Sequence, residues 1–424
     1  MKNLSASTGA SWRTLLRWTL SRLKREAFYA WQAMRGYRKH FEEIPIQNIL
    51  IGEQAGTPLE KWVEKTGDYG RVSIPLPDSP YVRFLKDIVQ NKQLLEQETF
   101  LEGHSYFKMA EVVLRQTGNY FGARTPAGIT DQMQRFYQMY MAMCEGKAPG
   151  AADDFRHSQA GSPIVVNKIL DSDCYEIKDG HHRAAAQYMM GRQYIRALVV
   201  GEKWTYLQRL LLSCLQVKGA ELYQPIHRPE VRTWPLIRRC TDRWELILKF
   251  LKGGEGLGNR ICSVLDLPCS YGWFVAQCKQ AGFRATGVDR DPAALKVGRI
   301  VYGLTDEDLQ EGEVFDYLDR RECPFDMVLC LSILHHFASG KERGDEKDFL
   351  RRLDRITGQV LILDSGQEHE AWFHHRLRGW NEGHLESLLR NNTTFRKVIK
   401  LGKDFDDRGR YEGQYGRTLF ACIR

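Results

Sequence analysis

The stretch VLDLPCSYGWFVAQCKQAGFRATGVDRDPAAL, residues 264–295, limits the possible folds more than any other part of the chain. One apolar run ends at Asp266, a tight turn follows, Gly272 opens a helix, and a second apolar run ends at Asp289. This order of strand, turn, helix and strand is typical of a parallel α/β unit. An acid at the tip of the second strand can accept both hydroxyls of a ribose, so the pattern predicts a nucleoside site.

The remainder of the C-terminal half continues the alternation of strands and helices that begins at residue 261. Apolar runs within 325–337, 358–366 and 417–424 predict further strands, and residues 236–252 predict a helix that precedes them. The Pro-rich segment 224–235 predicts a domain boundary. The fold class predicted for residues 224–424 is therefore α/β, with a Rossmann-like sheet.

Residues 236–424 resemble the class I S-adenosylmethionine-dependent methyltransferases, whose usual turn after the first strand is D-x-G-x-G-x-G. Asp266, Cys269 and Gly272 match common family residues, whereas Pro268 and Ser270 stand where glycines are usual. The proline removes a backbone donor and restricts φ, so we expect a stiffer turn. A dinucleotide is disfavoured, because PCSYG lacks the glycines that let a pyrophosphate approach the helix end.

The resemblance implies S-adenosylmethionine as the cofactor and places Asp316 near its adenine. The cofactor-binding residues that it implies are Asp266, Pro268, Cys269, Ser270, Gly272, Asp289, Arg290, Asp316 and Leu331.

His335 and His336 would follow the fourth strand of this sheet, beside the methyl group, and are the catalytic candidates. A histidine there could remove a proton from a hydroxyl acceptor, provide positive charge for an anionic acceptor, or only pack.

Positive charge is concentrated at the N-terminus. The net charge is +8, and residues 1–40 contain nine Lys and Arg against one acid, Glu26, so the remaining chain is balanced. Residues 11–40 follow a helical repeat with tryptophans on one face and arginines beside it. Such an arm, residues 1–43, suits either an anionic membrane surface or packing on its own domain. The balanced body disfavours a nucleic-acid partner.

The ten cysteines are scattered without a C-x-x-C pair, and arginines interrupt the N-terminal apolar residues. We therefore expect a cytoplasmic protein without a secretion signal, which would be peripheral at the inner face of the membrane if the arm binds lipid. His369, His374 and His375 match no standard ligand spacing, so no metal site is expected in this segment.

A second motif, DGHHRAAA, begins at Asp179 and lies among predicted strands at PIVV, CYEI and YIRALVV. Gly180 precedes a predicted helix over 182–190 that carries His182 and Arg183 near its start. Unpaired N–H groups and the helix dipole favour an anion at such a start, and Arg183 can bind two oxygens. The alternative is a polar cap on a structural domain.

This motif resembles the core of the ParB/sulfiredoxin-like superfamily, which includes DNA-partitioning proteins and kinases of free serine. The resemblance implies an α+β domain over residues 44–223, with a helical insertion at 54–160. It implies that ATP or another nucleotide, with Mg, binds at Asp179, Gly180, His181, His182 and Arg183. Glu53 would be the catalytic carboxylate, with Glu43 as its competitor.

Three functions remain open at this point. A kinase and a methyltransferase on one chain could phosphorylate and methylate a glycan, lipid-linked if the arm binds membranes. Alternatively, the first half is a scaffold for a small-molecule O-methyltransferase. A nucleic-acid methyltransferase targeted by the ParB-like module is the third, but LSIL stands where DNA base-amino methylases typically have Asn/Asp-Pro-Pro-Tyr/Phe.

Overall fold

The computed structural model describes residues 39–51, 74–146, 163–253, 260–340, 342, 344–373, 375–405 and 414–424. The described chain divides into two compact units, which meet in sequence between Trp204 and Thr205. Glu53 and the predicted helix of the arm, except its last two residues, lie outside the described residues.

The first unit contains a six-stranded mixed sheet in the order β1-β6-β4-β5-β2-β3. Its strands are β1 (His40–Pro45), β2 (Ile49–Ile51), β3 (Ile74–Pro75), β4 (Ile164–Ile169), β5 (Tyr175–Asp179) and β6 (Tyr194–Lys203). The apolar run IPIQNILIGE, residues 44–53, resembles one strand in sequence, but its described part belongs to two strands because a 3-10 turn at Ile46–Asn48 redirects the chain. β1 then pairs with β6, and β2 with β5.

Helices form most of the described part of the predicted helical insertion, and a further helix begins at the DGHHR motif. They are α1 (Pro80–Gln90), α2 (Glu98–Gly103), α3 (Ser105–Thr117), α4 (Pro126–Cys144) and α5 (His181–Met189). Side-chain caps fix two of the starts: Ser79 accepts the Val82 N–H, and Thr125 accepts the Gly128 N–H. Their buried faces are rich in aromatic side chains, which become the core around the DGHHR motif.

The second unit contains a seven-stranded sheet in the order β12-β13-β11-β10-β7-β8-β9. Its strands are β7 (Ser263–Asp266), β8 (Arg284–Asp289), β9 (Leu309–Glu311), β10 (Phe325–Cys330), β11 (Thr357–Leu363), β12 (Lys397–Lys403) and β13 (Thr418–Ile423). The five strands from β7 to β11 are parallel, and β13 runs antiparallel to β11 and β12. This is the Rossmann-like α/β architecture that the sequence predicts.

Helices of the second unit alternate with these strands. They are α6 (Tyr206–Ser213), α7 (Thr241–Lys252), α8 (Trp273–Gln280), α9 (Pro292–Tyr302), α10 (Val314–Arg320), α11 (Leu334–Ala338), α12 (Glu346–Ile356) and α13 (Glu382–Asn392). Two apolar clusters fill the core, one including Val328, Phe349 and Leu361 and the other including Val264, Phe274 and Ile362. The strands are consequently buried on both faces, as expected of a parallel sheet.

Residues 205–223 belong to the second unit, although the predicted boundary assigns them to the first. Helix α6 packs against α9, and the backbone N–H of Leu215 donates to the Asp291 carboxylate at 2.6 Å. The Pro-rich composition of 224–235 marks a real irregular segment, but contacts across it continue into α6. Among the described helices, none has both the length and the apolarity needed to cross a membrane.

Candidate active site

Parallel strands of the second unit end at one edge of the sheet, where several predicted cofactor residues come together. Asp266 is the last residue of β7 and Asp289 the last of β8. β10 ends beside them at Cys330. After β9 the chain crosses to the opposite side of β7 to form β10, so the strand order reverses there. Ligands of open α/β sheets bind in the crevice at such a reversal.

The turn between β7 and α8 is tightly packed on the neighbouring strands. Ser270 and Gly272 have positive φ angles of 53° and 80°, and a Cβ on Gly272 would lie 2.8 Å from Leu309. Glycine is therefore favoured at 272 on both conformational and steric grounds. Cys269 is buried and donates its backbone N–H to the Val288 carbonyl at 3.0 Å. The turn is thus fixed against β8 although two of the usual glycines are missing.

Asp266 and Asp289 are both buried acids. Asp289 accepts the backbone N–H groups of Ser270 at 2.8 Å and Asp291 at 3.0 Å, one on each oxygen. Burial raises the pKa of Asp289 to about 6, against those two donors. Burial first, and then the charge of Asp289, raise the pKa of Asp266 well above its ordinary value. Within the described chain, Oδ2 of Asp266 has no hydrogen-bond partner, so it can accept from a ligand.

His335 lies in the first turn of α11, just beyond the end of β10. Its side chain is buried, and its Nδ1 accepts the backbone N–H of Gly366 at 3.0 Å. A neutral imidazole that accepts through Nδ1 carries its proton on Nε2. The rings of His336 and Phe373 pack against it, with centroids 4.3 Å and 4.7 Å away. His335 is therefore oriented as a hydrogen-bond donor, while His336 is half-buried beside it.

A buried ionic network supports the loop between β10 and α11. Asp364, directly after β11, accepts the Ser332 N–H at 2.6 Å and Nη1 of Arg243 at 2.9 Å. Arg417 donates to the Ser332 hydroxyl at 3.0 Å and makes two 2.7 Å bonds to Glu370. Burial would raise the pKa of Asp364, but the surrounding guanidinium groups, Arg243 foremost, lower it. Ser332 has a φ of 62°, an uncommon conformation for serine that this network stabilises.

Other predicted cofactor residues are distributed around this edge. Arg290 is exposed and pairs with Glu342 at 3.0 Å. Asp316 is exposed on α10. The Gly312 N–H donates to the Asp289 carbonyl at 3.0 Å. Glu313, the next residue, is the N-cap of α10, and Asp316 lies in the first turn of that helix.

Leu331 and Pro268 are the remaining predicted cofactor residues. Leu331 is buried directly after β10, and Pro268 follows a cis peptide bond in the turn after β7. Both therefore belong to loops that begin at the strand-order reversal.

Among the described residues, no group of three or more His, Cys, Asp or Glu side chains could hold a metal ion. His369 is exposed, and its Nε2 lies 3.1 Å from the Tyr415 carbonyl oxygen. His375 is exposed, and His374 lies outside the described residues.

In the first unit, the histidines of the DGHHR motif lie in an aromatic core. His181 stacks on Tyr81 with ring centroids 5.6 Å apart. Nε2 of His182 lies 2.6 Å from the Tyr106 hydroxyl, and its ring packs 4.5 Å from Phe136. Burial lowers the pKa of His181 to about 4 and that of His182 to about 3. Both imidazoles are therefore neutral near pH 7 and bring no positive charge to the predicted phosphate site.

Arg183 remains the cation of this motif and lies in the first turn of α5. It is half-buried, and its guanidinium lies 3.4 Å from the Asp179 carboxylate. Gly180 has a φ of 96°, and a Cβ there would lie 3.1 Å from both the guanidinium and Ile164. The Asp-Gly turn therefore allows a close approach of Arg183 to the backbone. Glu43 is exposed on β1.

Comparisons with known proteins identify the chemistry of the second unit. Residues 265–359 match a family model described as a methyltransferase domain. Over 168 residues the chain is 26% identical to the O-antigen chain terminator bifunctional methyltransferase/kinase WbdD of Escherichia coli. The matched region covers 38% of this chain and 23% of WbdD. The second unit therefore carries a methyltransferase domain.

Solved structures give weaker similarities. A crystal structure of WbdD matches with a TM-score of 0.41 and 21% identity, over 51% of this chain and 46% of that chain. A SAM-dependent methyltransferase from Archaeoglobus fulgidus matches with a TM-score of 0.32 and 16% identity, over 43% of this chain and 92% of that chain. The sequence match with WbdD spans about a quarter of the length of that protein.

The residues at the sheet edge fit S-adenosylmethionine, the methyl donor of such domains. Oδ2 of Asp266 and the hydroxyl of Ser270 are buried without hydrogen-bond partners among the described residues. The cofactor carries an ammonium group and two ribose hydroxyls that could donate to such acceptors. Asp289, at the end of β8, is the acid expected to accept from the ribose. The turn after β7 would therefore hold the cofactor between these two acids.

Proposed function

We propose that this chain phosphorylates a glycan acceptor and then methylates the phosphate group. The second unit would supply the methyltransferase, and the first unit the nucleotide site. The reported activities and name of WbdD support this pairing, although the match covers only part of that protein. The structural observation that carries the proposal is the hydrogen bond from the Gly366 N–H to Nδ1 of His335, which leaves the imidazole proton on Nε2.

A phosphate oxygen needs hydrogen-bond donors rather than a base. It is already anionic, whereas a sugar hydroxyl must lose a proton before or during methyl transfer. Because Nδ1 of His335 accepts the Gly366 N–H, Nε2 would donate to the acceptor rather than take a proton. S-adenosylmethionine, when bound, supplies a methyl group on a positively charged sulfur. His335 would orient the attacking oxygen toward it and stabilise the acceptor's charge.

An exposed indole near His335 supports a sugar as the carrier of that phosphate. Trp372 is 39% exposed, and its Nε1 donates to the Glu370 carboxylate at 2.9 Å. Its ring centroid lies 5.4 Å from that of Tyr415 and 6.2 Å from that of Phe373, which packs on His335. The indole is thus fixed in orientation while part of its surface remains open. A sugar ring presents C–H groups that pack on the negative face of an indole.

The first unit would bind the nucleotide through Arg183 and the start of α5. Arg183 can donate to two phosphate oxygens, and the helix dipole favours negative charge there. ATP or another nucleoside triphosphate with Mg is the proposed ligand. Glu53 is the proposed catalytic carboxylate, with the exposed Glu43 as the alternative. The amphipathic segment of the basic arm, residues 11–40, would hold the enzyme at the inner face of an anionic membrane.

The test is methyl incorporation from labelled S-adenosylmethionine into a purified glycan, with and without nucleoside triphosphate. The acceptor is offered with and without a terminal phosphate, from about pH 5.5 to 8.5, which spans the titration of an ordinary histidine. We expect methylation of the unphosphorylated glycan only when the nucleotide is present, and of the phosphorylated glycan in either case. Equal methylation of both acceptors without nucleotide would contradict the coupled reaction and favour a small-molecule or glycan O-methyltransferase. Full loss of activity in His335→Gln, which keeps a donor but cannot take up a proton, would instead indicate a general base.

A further inference from the structure

The strongest unassigned feature is a buried glutamine that reaches the cofactor turn from the connector before α7. Gln224 is 5% exposed. Its Oε1 accepts the backbone N–H groups of Tyr271 at 3.1 Å and Trp273 at 3.3 Å. Its Nε2 donates to the Cys269 carbonyl at 3.3 Å. We propose that Gln224 is a positioning residue that sets the shape of the S-adenosylmethionine turn.

The turn needs such support because its conformation is unusual. Gln224 contacts the backbone of Cys269, Tyr271 and Trp273. Ser270 and Gly272 lie between these residues, and both have positive φ. Ser270 also donates its N–H to Asp289, the proposed ribose-binding acid. A shift of the turn would therefore move both the free Ser270 hydroxyl and the Asp289 contact. One side chain that bonds both sides of this segment restricts such a shift.

Gln224 is itself held in place by the surrounding backbone. The Tyr302 hydroxyl of α9 donates to the carbonyl of Pro225 at 2.5 Å. Leu222 accepts the Ile237 N–H at 2.8 Å and donates to the Pro235 carbonyl at 2.9 Å. These bonds fix the chain on both sides of Gln224, so little conformational freedom remains to be lost when the turn binds its ligand.

The hydrogen bonds of Gln224 also affect which ligands the turn can bind. A pyrophosphate on an α/β turn is bound by N–H groups at the start of the following helix. Here the Tyr271 and Trp273 N–H groups already donate to Gln224. The turn therefore selects a nucleoside without phosphates, as S-adenosylmethionine is, over a dinucleotide.

Two matched substitutions in the full-length chain test this role. Gln224→Met removes the amide while keeping the chain length. Gln208→Met is the control: Gln208 is equally buried, accepts the Thr205 N–H at 2.9 Å and donates to the Glu230 carbonyl at 3.0 Å. Both variants lose buried side-chain-to-backbone hydrogen bonds, so both should unfold at a lower temperature. Only Gln224→Met removes bonds to the cofactor turn.

Calorimetry and hydrogen exchange give the readouts. We expect Gln224→Met to raise the Kd for S-adenosylmethionine about tenfold or more and to speed amide exchange at Tyr271 and Trp273. Gln208→Met should leave both unchanged. Unchanged affinity in Gln224→Met, or equal weakening in the two variants, would overturn the positioning role.

Gln224→Glu is the second variant, for use if the methionine variant does not fold. It keeps an oxygen for the two N–H groups but replaces the donor to the Cys269 carbonyl with an acceptor. We expect a Kd between those of the wild type and Gln224→Met. A Kd equal to that of the wild type would show that the donated bond to Cys269 is not needed, and would also count against the proposal.

Discussion

The strongest quantitative prediction concerns Asp289→Asn. The carboxylate accepts one backbone N–H on each oxygen, from Ser270 and Asp291. Asparagine has nearly the same shape but only one oxygen, so its amide NH₂ must face one of these donors. The substitution also replaces the charged carboxylate that would accept hydrogen bonds from the ribose hydroxyls.

The magnitude follows from these contacts. A hydrogen bond to a charged group contributes about 1.5–3 kcal/mol, so losing the ionised acceptor should raise the Kd for S-adenosylmethionine about 10- to 150-fold. The substitution should change the stability of the folded chain less than it changes the affinity for S-adenosylmethionine. Because burial raises the pKa of Asp289 from 3.8 to about 6, the folded state holds this proton more tightly than the unfolded state does. Ionised Asp289 therefore lowers stability as the pH rises from about 4 to 6, and Asn removes that cost.

The pH dependence of binding provides the assay. Wild-type affinity, measured by titration calorimetry from about pH 5 to 7.5, should fall as the pH drops through about 6, because protonated Asp289 is a poorer acceptor. Asp289→Asn should lack this component, so the difference between the two curves isolates Asp289 from Asp266. Equal affinity of the two proteins at pH 7.5, or parallel curves, would refute the assignment of Asp289 as the ribose acid.

Three further predictions test the other sites. Arg183→Ala should weaken binding of a nucleoside triphosphate about tenfold or more, with S-adenosylmethionine affinity unchanged, by calorimetry; loss of both would indicate misfolding or a shared site. His335→Phe should lower kcat/KM for the phosphorylated acceptor about 10- to 150-fold, whereas His335→Gln, which can still donate, should lose less; equal losses would argue against a donor role. Deleting residues 1–40 removes the whole net charge of +8 and should abolish sedimentation with anionic liposomes at low salt, while both ligands still bind; if the full-length chain ignores such liposomes, the arm has another role.

Local patterns in the sequence predicted the second unit well. The strand, turn and acid positions at Asp266, Gly272 and Asp289 depend on residues close together in the chain, and the sheet brings both acids to one edge. Irregular segments were harder. The 3-10 turn at Ile46–Asn48 interrupts an apolar run that reads as one strand, and contacts such as Leu215 to Asp291 assign 205–223 to the second unit.

Contacts between side chains and residues far apart in the sequence could not be predicted from sequence motifs. Gln224 reaches the turn across 45 or more residues, and Arg417 contacts Ser332 across 85. Neither lies in a motif, so only the fold reveals the contact. Burial is equally invisible in a motif. His181 and His182 were predicted as phosphate-binding residues beside Arg183, but the aromatic helices before them form a core in which both imidazoles are neutral.

The most direct test of the two-site account is mass spectrometry of the small molecules that the purified full-length chain retains, after saturation with S-adenosylmethionine and ATP and rapid removal of free ligand. We expect one methionine-derived nucleoside and one nucleotide per chain, with Asp289→Asn losing the first and Arg183→Ala the second. Retention of the nucleoside alone by the wild type would return the first unit to a scaffolding role. Failure to retain any methionine-derived nucleoside would contradict the cofactor site at Asp266, Ser270 and Asp289 itself.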